Sequence, residues 1–556
     1  MLLLQSLPGD ILLEIASHIP LPSEVLHLSL TASGFIFEDL IPALYSEVIL
    51  NGPVQCIQTL NMLGSYPQRA RHVRSLCVKP DDNSAGIPTQ PVWGRGALYN
   101  GYAISAAVRR AAFGMEVLQR FMWDGEELPP YDDMWFALRR FCPQLKYVGT
   151  ALGSILTSPN SHLFDFSNLR GFSLIFKEGF YLNFEGVTRD EAIPGYQRLW
   201  EMLIKRCPHL EELVIDSLSP TEPVDAHRLT RGRWPKLRTL ILGDVVTDWH
   251  TTLNSAAKRS FVTFLDAHPS IKALHLRGRQ PSVSAPTILE ALQPSSLCKV
   301  DDFGGSLDQL QSFRHRAHLR SLCIPDPVIL RESTPLAMSG VLSSVPSLVS
   351  LSISFTLLHG YDNGSIIRSI ASACPMLEHL DFTCTVDTTP LEFCSKPTSQ
   401  ETFCRAIKPL GRLKSLHLRI VKARGEESLA ACGSQLVFTN PRLANFKISF
   451  LSRESTINER SNPPVVLQSA AFELTADKHG LPVSLRIVEH HQPLLRWRTA
   501  PRRVQVVGLR PVGYPGTHSG SVLSLVLSPT PAGQEMRMLC FCVALLTSAV
   551  VGAVML

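Results

Sequence analysis

The sequence predicts an α/β protein in which a short all-helical module precedes a solenoid of short parallel strands and helices. Three observations predict it. A turn marked by proline and followed by L-x-x-L-x-[I/L/V] returns through most of the chain. The residues ahead of these turns carry apolar side chains at helical spacing. The segment before residue 51 lacks the phrase and shows three helix-like apolar rows instead.

That segment reads LPGDILLEIASHIPLPSEVLHLSLTASGFIFEDLIPALYSEVIL from Leu7 to Leu50. Ile11, Leu12, Ile15 and Ile19 recur at helical spacing and are expected on one face. Val25, Leu26, Leu28 and Leu30 form a second cluster, and Leu40, Leu44 and Val48 a third helix-like row. Three short helices cannot bury this much apolar surface between themselves. The rest of the chain or a partner must cover some of it.

Residues 51–464 carry the repeat. It appears as Cys142-Pro143 through Val148, Cys207-Pro208 through Ile215, and Trp234-Pro235 through Leu242. Further copies run from His268-Pro269 to Leu276, from Val345-Pro346 to Ile353 and from Cys374-Pro375 to Phe382, with weaker ones starting at Val73, Leu169, Leu297, Leu319, Leu413 and Leu443. From Leu145 to Leu443 the first apolar anchors fall on average about thirty residues apart, the range of leucine-rich repeats that carry a helix. Alternation after each anchor places the later apolar residues on one face of a short strand. Ahead of the turns, Leu199, Trp200, Leu203 and Ile204 share a helical side, as do Phe261, Phe264 and Leu265, and Ile366, Ile367 and Ile370. Proline then stops the helix, because it disfavours α geometry in the residue before it. A doubly wound enzyme would also alternate helix and strand, but it needs longer all-apolar strands and a glycine-rich first turn. Residues 80–91, 221–232 and 387–400 are rich in turn formers and read as loops inserted into an expected horseshoe.

Residues 465–492 read as a C-terminal cap, with Val483, Leu485 and Ile487 forming a last strand. Residues 493–537 are rich in Arg, Pro, Gly and Ser and read as a disordered linker. Residues 538–556 carry no charge; as a helix they would reach about 28 Å, enough to span a hydrocarbon core. This stretch is either a membrane anchor that leaves the solenoid cytosolic, a mispredicted gene end, or a buried terminal helix.

Composition narrows the function. The net charge is +5, yet residues 493–556 hold six arginines, no lysine and only Glu535 as an acid, which accounts for all of it. The remainder is neutral and offers no footprint for nucleic acid. The 13 cysteines form no C-x-x-C pair and no signal peptide opens the chain, so reduced thiols in the cytoplasm or nucleus are expected. No nucleophile elbow, phosphate loop or zinc-protease motif is present. Cys374, Cys384, Cys394 and Cys404 are spaced too widely for a zinc knuckle, and Asp477 with His479 lacks a third partner. A protein without enzyme activity, cofactor or metal is expected.

The N-terminal segment resembles an F-box, the module that docks a protein onto the Skp-family adaptor of cullin–RING ubiquitin ligases. The resemblance rests on Leu7-Pro8, on Asp10 through Ile15, on Leu26 through Leu30, and on Leu44-Tyr45 followed by Val48-Ile49-Leu50. It departs from the pattern at Gly34, where the family often has a basic residue before an aromatic, here Phe35. Phe472 through Pro482 is similar to a closing segment of fungal F-box proteins with C-terminal leucine-rich repeats. The resemblance implies an F-box over 1–50 and a substrate-recognition subunit of a Skp–cullin–F-box ubiquitin ligase. Leu7, Pro8, Ile11, Leu12, Ile15, Val25 and Leu28 would then bind the adaptor, and through it a cullin, while the repeats bind an unidentified target protein. The alternative is a non-catalytic leucine-rich-repeat scaffold whose N-terminal helices only cap the array.

Overall fold

The structure, a computed structural model, describes residues 7–508 except 20–21, 32–33, 82–94, 156, 178–179, 181–195, 218–223, 244, 247–259, 278–287, 331–333, 358–364, 387–405, 422–428, 441, 452–465, 477–481 and 492–501. The chain divides into two compact units, Met1–His315 and Arg316–Leu556. The sequence pattern showed no such division within 51–464, because the repeat phrase continues across it.

The first unit opens with α1 (Gly9–Ser17), α2 (Pro22–Thr31) and α3 (Gly34–Ser46). Their shared core is Leu12, Ala16, Val25 and Leu40, with Leu7, Ile19, Leu28, Ala43 and Leu44 packed against it. The expected single face of α1 is split. Leu12 and Ala16 are buried, whereas Ile11 and Ile15 are exposed. Each residue advances about 100° around a helix, so Ile11 and Ile15 lie one step beyond the stripe that two short neighbours can cover. Val48 belongs to no helix. The chain passes directly from α3 into a strand, so the boundary expected at residue 50 falls inside the first strand of the sheet.

That sheet consists of β1 (Glu47–Asn51), β2 (Ser75–Lys79), β3 (Arg120–Trp123), β4 (Tyr147–Leu152), β5 (Gly171–Phe176) and β6 (Glu212–Ser217). It continues, past a side pair β7 (Val224–Asp225) and β9 (Val245–Val246), through β8 (Thr239–Leu242), β10 (Ala273–Leu276) and β11 (Asp302–Gly304). Each main strand pairs in parallel with the next. The register aligns Val48, Leu76, Phe121, Val148, Phe172, Leu213, Leu240, Leu274 and Phe303 in one row across the sheet. The first anchors Val73, Leu169, Leu210, Leu237, Ile271 and Leu297 are fully buried beneath the turns. The repeat phrase therefore describes a continuous apolar ladder.

Two sequence readings need correction here. Strand β3, preceded by the helix Arg95–Ala112, is a repeat that the pattern missed, because its phrase is Leu118-x-x-Phe121-x-Trp123 with aromatic anchors. The expected loop at 221–232 holds β7 and a 3-10 turn, His227–Arg231, that buries Leu229.

The residue before the turn proline has a specific task. Cys142, Cys207, Trp234 and His268 are all buried there. The Cys142 Sγ–H donates to the Ala112 carbonyl at 3.7 Å, and the Trp234 indole N–H donates to the Leu203 carbonyl at 3.1 Å. His268 Nδ1–H donates to the Phe264 carbonyl at 2.6 Å, and its Nε2 accepts the Trp234 backbone N–H at 2.9 Å. These contacts tie the end of one repeat's helix to the repeat before it, satisfying groups that a helix end leaves open. Burial pushes the Cys142 thiol up to about 12, so it serves as a small packed donor and not as a nucleophile.

The second unit holds β12 (Ser321–Leu330), β13 (Ser350–Leu357), β14 (His379–Val386), β15 (Ser415–Val421) and β16 (Asn445–Leu451), paired in parallel from β12 to β16. Their ladder is Leu322, Leu351, Leu380, Leu416 and Phe446. Then the direction reverses. β17 (Val466–Ala476), β18 (Pro482–His491) and β19 (Arg502–Gly508) add on as antiparallel strands. The expected cap is thus more than one strand, and Phe446 stacks on Phe472 with ring centroids 4.5 Å apart. Leu485 and Ile487 are buried as expected, while Val483 at the strand's start is exposed. β19 corrects the reading of 493–537 as a structureless linker: its Arg502-Arg503-Val504-Gln505-Val506-Val507 stretch has the valines to extend the sheet edge that β18 leaves open. The segment 387–400, expected as a loop, and the apolar stretch 538–556 lie outside the described residues, as do Cys394 and Cys404. Among the described residues no helix is long and apolar enough to cross a membrane.

Two outcomes are expected. Leu213→Ala should destabilise the first unit by about 2–5 kcal/mol, seen as an earlier urea transition. His268 offers the second. Burial, ahead of the opposing Phe264 hydrogen bond, lowers its pKa from 6.5. The unfolded chain therefore takes the proton first, and the His268 contribution is complete above pH 6.5 and lost as the pH falls toward the depressed value. Urea midpoints measured across that window should fall less steeply in His268→Asn than in the unsubstituted protein.

Candidate functional site

The N-terminal module is the first surface with functional character. Pro8 precedes α1, and its carbonyl accepts the N–H groups of Ile11 at 3.1 Å and Leu12 at 3.2 Å. Asp10 lies in the first turn, where a carboxylate complements the helix dipole. Of the seven residues expected to bind an adaptor, Leu12 and Val25 are buried in the module's own core. Leu7 and Leu28 are half-buried against that core, and Pro8, Ile11 and Ile15 are exposed. Ile11 shows 45% of its surface and Ile15 37%, and Leu30 on α2 shows 62%. Leu30 was absent from the expected set; its place in the apolar cluster of α2 was the available signal. The side chains of Pro8, Ile11, Ile15 and Leu30 lie outside the module's buried core.

The second surface is the sheet face opposite the ladder. Its residues occupy the x positions of L-x-x-L-x-L, which the repeat phrase leaves unspecified, so sequence pattern alone did not select them. In the first unit, Arg120 on β3 lies 4.2 Å over the Tyr147 ring on β4 and reaches Glu212 on β6 at 3.4 Å. Gly171 on β5 makes this reach possible, because a Cβ there would collide with the Tyr147 ring. Gly149 similarly leaves room for the Met122 sulfur, and Gly243 for the carboxylate of Asp216, which pairs with Arg277 at 2.9 Å. Farther along, His275 Nε2 lies 3.1 Å from Asp302 beside Gly304. Glycines between long side chains let charged pairs bridge across intervening strands.

At the ends of β2 and β3, Asp124 sits between Lys79 at 3.4 Å and Lys177 at 3.2 Å. Asp81 accepts the Glu126 N–H at 2.6 Å, and Glu127 accepts the Ser154 and Ile155 N–H groups, each at 3.0 Å. Burial raises the pKa values of Asp81 and Glu126. These carboxylates clamp the loops after the strands through cations and backbone donors. Among the described residues no group of three or more His, Cys, Asp or Glu is placed to hold a metal ion.

The same face of the second unit is more polar. Its rows are Ser350, His379, Ser415 and Asn445; Ser352, Asp381, His417 and Lys447; and Ser354, Thr383, Arg419 and Ser449. A single Arg419 nitrogen donates to both Asp381 oxygens at 2.9 Å. His417 Nδ1 lies 3.7 Å from Asp381. Burial lowers the His417 pKa, with Arg419 and Lys447 adding to the effect and Asp381 opposing it, so the ring is neutral at neutral pH. Lys414 donates to Glu378 at 2.7 Å and holds its carboxyl below the usual range.

No protein-family model and no curated protein matches the chain. Solved structures do, among them one described as "Crystal structure of TLR13-ssRNA13 complex", with 14% identity and a TM-score of 0.29, covering 63% of this chain and 49% of that one. The chain thus spans about half the length of that structure. The ladder, the proline turns and the helical or 3-10 segments ahead of most strands make this fold one of leucine-rich-repeat type.

Gly171→Ala should force the Tyr147 ring off the sheet and cost about 1–3 kcal/mol. The loss is measurable as a lower thermal midpoint, accompanied by a changed tyrosine fluorescence.

Proposed function

We propose that the chain is a non-catalytic adaptor: α1–α3 dock a Skp-family protein, and the repeats hold a target for ubiquitin transfer by the cullin complex. The observation that supports this reading is the exposed apolar set Pro8, Ile11, Ile15 and Leu30 on a module that already has its own core. Desolvated apolar side chains at the centre of an interface carry most of its affinity. The polar sheet faces favour selective protein contacts, and tethering a target beside a transferring enzyme raises its effective concentration. No chemistry is required of the chain itself. In this reading it works in the cytoplasm or nucleus; a tail-anchored form would depend on residues 538–556.

Co-expression with a Skp-family adaptor tests the proposal. The unsubstituted protein should retain the adaptor through affinity purification and gel filtration. The exposed triple variant Pro8→Ala/Ile11→Ala/Ile15→Ala should lose it while keeping its thermal midpoint. Failure of the unsubstituted chain to hold any adaptor sinks the idea. A second reading, a scaffold whose helices merely cap the array, draws on the unbroken passage from α3 into β1. There the triple variant has no binding phenotype, and deleting residues 1–46 aggregates the repeats.

A further inference from the structure

The parallel strands at the C-terminal end of the second unit carry an uneven charge. Residues 406–421 and 442–451 contain no acid and six cations, namely Lys408, Arg412, Lys414, Arg419, Arg442 and Lys447. The neighbouring strand β14 and the turn before it supply Asp381 and Glu378, which engage Arg419 and Lys414. Lys408, Arg412, Arg442 and Lys447 are exposed. Lys447 has no carboxylate within ion-pair distance among the described residues. This local excess sits on a chain whose first 492 residues are neutral overall.

The floor around these cations decides what they suit. On β13 to β16 the residues facing away from the ladder are mostly Ser, Thr, Asn, His, Asp, Arg and Lys, with the buried Leu451 at the end of β16. The phenylalanines of these strands, Phe355, Phe382, Phe446 and Phe450, are all buried on the ladder side. Single-stranded nucleic acid is held by aromatic platforms on which bases stack, and this face has none among the described residues. An extended acidic peptide needs no such platform. Its alternate side chains repeat at about 7 Å, and the diagonal from Lys447 on β16 to Arg419 on β15 is of order 8 Å from strand spacing and rise. The part-exposed hydroxyl of Ser415 would meet its backbone.

We infer that the face formed by β15 and β16, with the turns that precede them, binds an extended acidic peptide segment, with the exposed Lys447, Arg412 and Arg442 as its outer cations and Arg419 as the inner contact. The inference deepens the proposed function by naming the class of target segment, and rests on the reading that the repeats bind a protein.

Fluorescence anisotropy with the full-length protein tests it, using a labelled twelve-residue (Ser-Glu) peptide, a (Ser-Lys) peptide and a twelve-nucleotide oligo-U RNA. The Ser-Glu peptide should bind, weaken as salt rises from about 50 to about 300 mM, and bind roughly tenfold more weakly to Arg412→Glu/Lys447→Glu. The neutral variant Arg412→Gln/Lys447→Gln should fall in between, which preserves the test if charge reversal perturbs folding. Arg140→Glu, an exposed arginine of the first unit, should change nothing. Absence of Ser-Glu binding, equal affinity for the Ser-Lys peptide, or tighter RNA binding lost in the same variants would each overturn the inference. Adaptor retention, followed in the same preparations, distinguishes failure of this face from failure of the N-terminal docking.

Discussion

Every repeat in this protein depends on its neighbours for a core. Leu210, Leu213 and Ile215, or Leu377, Leu380 and Phe382, are buried only because adjacent strands lie in register beside them. A single helix–turn–strand unit would leave those side chains in water, at roughly 1.5–3 kcal/mol each. Stability within each unit is therefore a property of the stack, with nearest-neighbour contacts as its currency. The residue before the turn proline turns this dependence into a hydrogen-bonded one. Cys142 and Trp234 reach back to carbonyls of the repeat before them, and His268 takes up the backbone N–H of Trp234. Cys142, Trp234 and His268 differ in size but share one position, where each supplies a buried polar contact; Val345 fills the same place by packing alone.

The same stacking constraint divides labour between the two faces of the sheet. The ladder face must be apolar in every repeat, so it is repetitive and carries little information about function. The opposite face is released from that demand. There the first unit uses glycine to lay Arg120 across Tyr147 toward Glu212 and Arg277 across Gly243 toward Asp216. The second unit presents hydroxyls, a part-buried Arg419–Asp381 pair and a set of exposed cations. The N-terminal module follows the opposite logic. Its core is small, and the surplus apolar residues of α1 and α2 remain on its surface. One part of the chain thus offers apolar contact and the other a polar surface, the contrast on which the proposed adaptor role rests.

Local pattern was enough to determine the repeat fold, the position of most of its parallel strands, and many of the helices ahead of the turns, because burial in a stack forces apolar residues at fixed intervals. It also marked the N-terminal helices and the apolar side chains too numerous for them. Composition misled at β19, where the average over 493–537 concealed a short valine-rich strand, and at β3, where aromatic anchors disguised the phrase. Only tertiary structure decided which face of α1 is covered, since Ile11 and Leu12 are equally apolar and differ only in their angle to α2 and α3. It also decided where the chain divides into two units and that the strand direction reverses at β17. Above all it brought Arg120 to Glu212 and Arg419 to Asp381, residues far apart in sequence at positions the repeat leaves free. Burial is written into sequence period, whereas contacts between exposed side chains depend on register across strands, which exists only once the stack has formed.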